Sequence, residues 1–201
     1  LHELVLVSAD LSTFLFREFQ AYALFCGKWA RDEIAAASEN ATTKDYARQA
    51  RHEHFLEEQV WALGVASDIK AAVNKFLWDD KLGYYIARNM SAAAIKAGTT
   101  LVNAKTDVLG FPLWANMSDA SQAHKIRAHL MSHNMLSPFG IRSTSSDDPR
   151  YNNVDEIKPY SNWQGPVWVN ANAVLSFGLR NYGYVEDAQE IATRVVDTLA
   201  A

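Results

Sequence analysis

An all-α protein, with its helices in layers or around a toroid, is what this sequence predicts. Three observations carry that expectation. Apolar residues recur at three- and four-residue spacing along several long stretches. Only a short run, Tyr84-Tyr85-Ile86, is β-prone. No strand–helix–strand alternation and no short repeat breaks the succession of helices of similar length.

Each element has its own signal. Asp10 reads as an N-cap, and Leu11, Phe14, Leu15, Phe19, Tyr22, Phe25, Cys26 and Trp29 follow at helical spacing, with Arg17, Lys28 and Arg31 on the other side. Residues 43–64 predict a second, more polar helix with Tyr46, Ala50, Leu56, Val60 and Leu63 inward. Ser67 caps a third, through Trp78. Asp80-Lys81-Leu82-Gly83 is turn chemistry, so residues 78–89 predict a short hairpin. A helix is expected near residues 106–116, and Ser118 caps another through about His133. Residues 137–159, "SPFGIRSTSSDDPRYNNVDEIKP", read as a long polar loop. The last helix is expected at residues 186–199.

Bulk properties set limits. The 201 residues are 49% hydrophobic, enough for a sizeable core. A net charge of −4, with both signs interspersed, gives no footprint for nucleic acid and no basic face for a membrane surface. No apolar run approaches the ~20 residues of a membrane span. Cys26 is the only cysteine, so no internal disulfide and no cysteine-based zinc site is expected. No metal and no cofactor is called for. Sequons at Asn40, Asn89 and Asn116 are about what chance supplies in a chain this rich in Asn, Ser and Thr. The chain opens on Leu1 and ends in mid-pattern at Ala201, as an excerpt of a longer polypeptide would.

The stretch from Tyr160 to Leu179, "YSNWQGPVWVNANAVLSFGL", holds no charged residue, yet it carries two Trp and four Asn or Gln. Pro166 suits the first turn of a helix, which places that helix at about residues 165–182 with Gly183 as its stop. Val167, Ala171, Val174 and Gly178 line one side, and Trp168, Leu175, Leu179 and Tyr182 another. A helix apolar all round is expected to be buried. Tyr160, Trp163 and Gln164 precede it and so sit at its N-terminal mouth, where backbone N–H groups also point. Indoles and amides together suit a neutral, hydroxyl-rich ligand. On residue chemistry alone, the same residues also read as core tryptophans and capping amides.

These residues carry a resemblance. "YSNWQGPVWVNANAVLSFGLRNYGY" resembles the W-x-G-P-V-W…N…GLRRYGY signature of the family 63 glycoside hydrolases and their relatives, which include mannosylglycerate and glucosylglycerate hydrolases, processing α-glucosidases and trehalase-like proteins. "ADLSTFLFREFQAYA" is similar to their V-D-L-N-x-F-L-x-R-E helix. "FLWDDKLGYY" is similar to their L-W-D-x-x-x-G-F-Y-Y turn, and "FGIRSTSSDDPRYN" to their Y-G-L-R-S-x-S loop. The motifs occur in the family's order.

The resemblance implies that residues 1–201 are the central to C-terminal part of one catalytic domain, an (α/α)6 barrel of six helical hairpins. It implies inverting hydrolysis of an α-glycosidic bond by an Asp acid and a Glu base, on a small carbohydrate substrate. The acid belongs to a W-D-x-S-like motif before Asp10 and the base to a motif after the last helix, so neither is assignable in this chain. What the resemblance does imply is a site lining. Trp163 and Trp168 would be sugar platforms, Tyr160 and Gln164 would hydrogen-bond hydroxyls, and Arg142, with Ser143 and Ser145, would lie on a loop over the mouth. Asp10 is a contact or a plain cap. Gln164 stands where many relatives carry Arg. A carbohydrate-binding module without chemistry, or a structural scaffold, remains open beside the enzyme.

Other clusters carry less. His129 and His133 have the spacing of paired metal ligands but read better as a solvated polar face. Asp147-Asp148 and Asp155-Glu156 read as an acid pair or a cation site, although Asp-Asp-Pro is more simply a turn. Cys26 is expected in the core.

Overall fold

A computed structural model describes residues 6–36, 43–152 and 163–200. Tyr160, Asp155, Glu156 and Asn40 lie outside them. In chain order the elements are β1 (Leu6–Val7), α1 (Ala9–Ala35), α2 (Thr43–Phe76), β2 (Trp78–Asp79), β3 (Tyr84–Tyr85), β4 (Ala87–Asn89), α3 (Ala92–Ala97) and β5 (Leu101–Val102). A 310 helix (Asp107–Gly110) leads into α4 (Phe111–Trp114), followed by α5 (Ala120–Leu130), β6 (Leu136–Ser137), β7 (Gly140–Ile141), α6 (Val169–Asn181) and α7 (Val185–Ala200). The expected all-α class holds: the strands are two or three residues each, in small antiparallel ribbons. The chain packs as two compact units, one made of the residues up to Thr13 and from Val73 onward, the other of Phe14–Ala72.

In the smaller unit, the helices meet through small side chains. Ala23, Cys26, Ala30, Ala62 and Ala66 are buried, whereas Phe25, Trp29, Tyr46, Leu56, Val60 and Leu63 are exposed. The face that periodicity marked as inward on α2 is therefore not the covered one. The covered positions are small, and a Cβ at Gly27 would meet only the end of the Gln59 side chain, at 2.4 Å. Arg51 and Glu33 form a two-pronged pair at 2.8 and 2.9 Å. α2 runs through Ser67 without a break, so the separate third helix expected there is the continuation of the second.

In the larger unit, the hairpin expected over residues 78–89 forms over Trp78–Tyr85, with Trp78 opposite Tyr85, while Ala87–Asn89 pairs instead with β1 and β5. Asp79 Oδ1 closes its turn by accepting the N–H groups of Lys81 and Leu82. α5 starts one residue later than expected: Asp119, not Ser118, is the cap, with Gln122 completing a capping box. Ser118 instead meets the Tyr85 hydroxyl. The core is Leu109, Leu113, Met117, Ile126, Leu130, Ile141, Leu175, Leu179 and Ile191, all fully buried.

α4 and α6 make the closest packing. A Cβ at Gly178 would lie 2.9 Å from Leu113 Cβ and from Trp114 N, and one at Gly110 would lie 2.6 Å from Leu175 Cδ2. Position 110 thus faces 175 and position 113 faces 178, so the two helices run in the same direction, with α4 beginning level with the middle of α6. α6 and α7 form an antiparallel pair turned at Gly183, whose φ of 83° suits glycine.

Candidate active site at the head of α6

α6 begins at Val169, with Trp168 at its N-cap position and an extended backbone there. Pro166 therefore lies ahead of the helix and not in its first turn. The chain stays extended before the helix because residues 142–145 pair with it. Arg142 bridges Val167. Ser143 N–H donates to Pro166 O at 3.0 Å, and Gly165 N–H donates to Ser143 Oγ at 3.0 Å. Thr144 Oγ1 donates to Trp163 O at 2.8 Å. Gly165 has a φ of 155°, and a Cβ there would press on Tyr151 at 3.0 Å, so the approach admits only glycine.

That scaffold brings Trp163 and Trp168 together. Their rings stack at 4.4 Å between centroids and 18° between planes. Trp163 is 56% exposed and Trp168 half-buried. Gln164 lies between them in sequence and is half-buried; its carbonyl accepts the Asn152 N–H. Arg142 shares the backbone scaffold, but its guanidinium donates to the carbonyls of His133 and Asn134 at 3.1 and 3.2 Å. Tyr160 falls outside the described residues.

α6 is buried on one face only. Ala171, Asn172, Leu175, Gly178 and Leu179 are covered, while Val169 and Phe177 are 49% and 57% exposed. All-round apolarity thus overstated its burial. The exposed side forms a groove of about 610 Å³ with α7, lined by Phe177, Val185 and Val196 and by neither tryptophan. Arg180 is exposed in the last turn, as its position predicts. The buried amide of Asn172 finds its partners on the Ile141 backbone: Ile141 N–H donates to Oδ1 at 2.7 Å and Nδ2 donates to Ile141 O at 3.0 Å.

Sequence reading missed Asp107. It lies at the head of the 310 helix that continues into α4. The residues around it pair with the 142–145 segment: Asp107 N–H donates to Ser143 O at 3.1 Å and Ser145 N–H to Lys105 O at 2.9 Å. The residue is 3% exposed. Burial pushes its carboxyl up to about 7, against the pull of the Val108 and Asp107 N–H groups, and the Asp10 carboxylate adds to the rise. Nothing in the local pattern "AKTDVLGF" announces a buried carboxyl; the only clue is an acid just before an apolar run.

Asp10 itself lies inside the first turn of α1, which begins at Ala9, and accepts the Ser8 hydroxyl. It is therefore not the N-cap. His129 is half-buried, with Nε2 donating to Leu82 O at 2.9 Å and its ring on the edge of Tyr84, so it is a hairpin anchor and not part of a solvated face. Asp147 and Asp148 are turn and ion-pair residues, bound to Lys105 and Arg150. Among the described residues no group of three or more His, Cys, Asp or Glu could hold a metal. No described helix is long and apolar enough to cross a membrane.

Residues 33–201 match the mannosylglycerate hydrolase MGH1-like glycoside hydrolase domain, and the chain belongs to that family. A mannosylglycerate hydrolase of Rubrobacter radiotolerans is 30% identical over 132 residues, covering 62% of this chain and 26% of the relative. The family 63 mannosylglycerate hydrolase of Thermus thermophilus, solved with glucose, aligns with a TM-score of 0.62 at 17% identity, over 96% of this chain and 39% of that one. The neutral trehalase of Saccharomyces cerevisiae aligns with a TM-score of 0.65 at 19% identity, over 95% and 31%. The structural likenesses show the fold. The chain spans about a quarter of the length of the Rubrobacter relative.

Proposed function

We propose that this chain is the central to C-terminal part of the catalytic domain of an inverting α-glycoside hydrolase acting on a small glucoside or mannoside. The observation that carries the proposal is the stacked Trp163–Trp168 pair, held at the head of α6 in a segment without charge. An exposed indole face matches the C–H face of a pyranose, and neutral amides bind its hydroxyls without requiring an ionic group. Family membership supports hydrolysis over mere binding. Mannosylglycerate and trehalose are the substrates suggested by the names of the similar proteins.

The acid and base carboxyls lie outside this chain in this reading. Inversion needs them ~6.5–9.5 Å apart with a water between base and sugar. This chain supplies the sugar platform and its supports. Trp163 offers the stacking face, Gln164 and Tyr160 pair with hydroxyls, and the 142–145 segment, with Arg142, fixes the backbone from Trp163 to Val167.

The test is hydrolysis by the protein expressed from its complete reading frame. Mannosylglycerate, glucosylglycerate and trehalose are followed by proton NMR from the first minutes. Release of the β-anomer supports the proposal. Sugar binding without hydrolysis favours a non-catalytic binding role, and neither activity leaves a scaffold.

A further inference from the structure

Ahead of α6, side chains hold the backbone where a strand ladder would use main chain. Arg142 and Val167 begin an antiparallel pairing, and Ser143 N–H continues it to Pro166 O at 3.0 Å. The ladder cannot run on in the ordinary way, because Pro166 has no N–H to give back. Two hydroxyls take over. Ser143 Oγ accepts the Gly165 N–H at 3.0 Å, and Thr144 Oγ1 donates to the Trp163 carbonyl at 2.8 Å.

These hydroxyls stand on a braced segment. Thr144 bridges Thr106 on the other side, and Ser143 O accepts the Asp107 N–H at 3.1 Å. Ser143 is 1% exposed and Thr144 4%. A backbone ladder accepts almost any side chain, whereas these two bonds exist only if a hydroxyl stands at each position. The carbonyl that Thr144 holds belongs to Trp163 itself, and the bond therefore fixes the peptide plane next to the Cα from which the indole projects. With its ring 56% exposed, Trp163 has little packing to orient it beyond the stack on Trp168.

We propose that Thr144, with Ser143 beside it, is a positioning residue of the sugar site: the two hydroxyls set the backbone from Trp163 to Gly165 and so hold the Trp163 indole flat on Trp168. The proposal rests on the sugar-binding reading above only for what the platform binds.

The experiment uses the protein expressed from its complete reading frame and reads the platform first without sugar. Two indoles stacked at 4.4 Å couple their electronic transitions, which gives a far-ultraviolet circular-dichroism couplet whose size follows the ring geometry. Trp163→Phe removes this couplet and so marks it among the signals of the other tryptophans. Thr144→Val keeps the shape and the β-branching but loses the donor, and should reduce the couplet by about half or more. Thr144→Ser restores the hydroxyl and should restore the couplet. Ser143→Ala removes the acceptor of the Gly165 N–H and should reduce the couplet independently, so it decides the matter if Thr144→Val does not fold. Calorimetric titration with glucose and mannosylglycerate follows. Affinity should fall roughly five- to tenfold in Thr144→Val and stay within about twofold of the wild type in Thr144→Ser. A couplet unchanged in Thr144→Val and Ser143→Ala overturns the proposal, whatever the thermal melts show, and so does a loss that Thr144→Ser fails to restore. A reduced couplet with unchanged affinity overturns the link to the sugar. If the couplet behaves as expected but the wild type binds neither sugar, the positioning role stands and the sugar-binding reading fails.

Discussion

Trp163 and Trp168 stack at 4.4 Å, so each indole covers one face of the other. A ligand can then use only an outer face, and the more exposed one belongs to Trp163. Trp168 backs it. The pair is a one-sided platform and not a slot between two rings. The stack exists because residues 142–145 keep the chain extended up to the head of α6, whereas an earlier helix start at Pro166 would have turned the rings apart.

Gln164→Ala should weaken sugar binding by about 1–2 kcal/mol, because a substrate hydroxyl loses its partner. The melting temperature should stay within a degree or two, since the side chain is half-buried and its backbone bonds remain. Calorimetric titration beside a thermal melt checks both.

Asn172→Ala should act on stability. The amide is 2% exposed and serves both polar groups of Ile141 as a strand partner would. Its loss leaves those groups buried and unpaired, at a cost of roughly 1–3 kcal/mol. Urea unfolding should show a lower midpoint at unchanged slope.

Gly178→Ala should cost roughly 1–3 kcal/mol by overpacking. The new Cβ would lie 2.9 Å from the Trp114 backbone nitrogen, which cannot rotate away as a flexible side chain can. The same change at Gly64, where nothing lies within 4 Å, should be neutral or slightly stabilising in the same melt.

Two titratable groups should give opposite pH trends. His129 is lowered chiefly by burial, so the fold favours its neutral form. Its contribution is complete above the unfolded value of about 6.5 and is lost as pH falls through the folded one. Asp107 is raised from 3.8 to about 7, so its contribution is complete below 3.8 and is lost as pH rises through 7. His129→Gln should therefore reduce the acid-side loss of stability, and Asp107→Asn should melt higher than the wild type at pH 8 but not at pH 4. Melts across that range check the signs.

Much of this was legible in the sequence. A hairpin beginning at Trp78 follows from Asp80–Gly83 turn chemistry, and α7 from its periodicity, because both depend on local signals. The aromatic run was legible as an uncharged, tryptophan-bearing approach to a helix. What failed depended on neighbours. The inward face of α2 could not be read because the covered positions are the small Ala62 and Ala66, while the larger Leu56 and Val60 stay exposed. The one-face burial of α6 was hidden for the same reason. Asp107 was invisible because its environment comes from Asp10 and Ser143, each far away in the chain.

The most direct measurement is calorimetric titration of the protein and its Trp163→Ala variant with glucose and mannosylglycerate, beside their thermal melts. A sugar platform predicts a loss of roughly 1–3 kcal/mol in binding, by analogy with aromatic stacking elsewhere, and an almost unchanged melt. Unchanged binding with a collapsed melting temperature would mean that the stacked pair is packing alone.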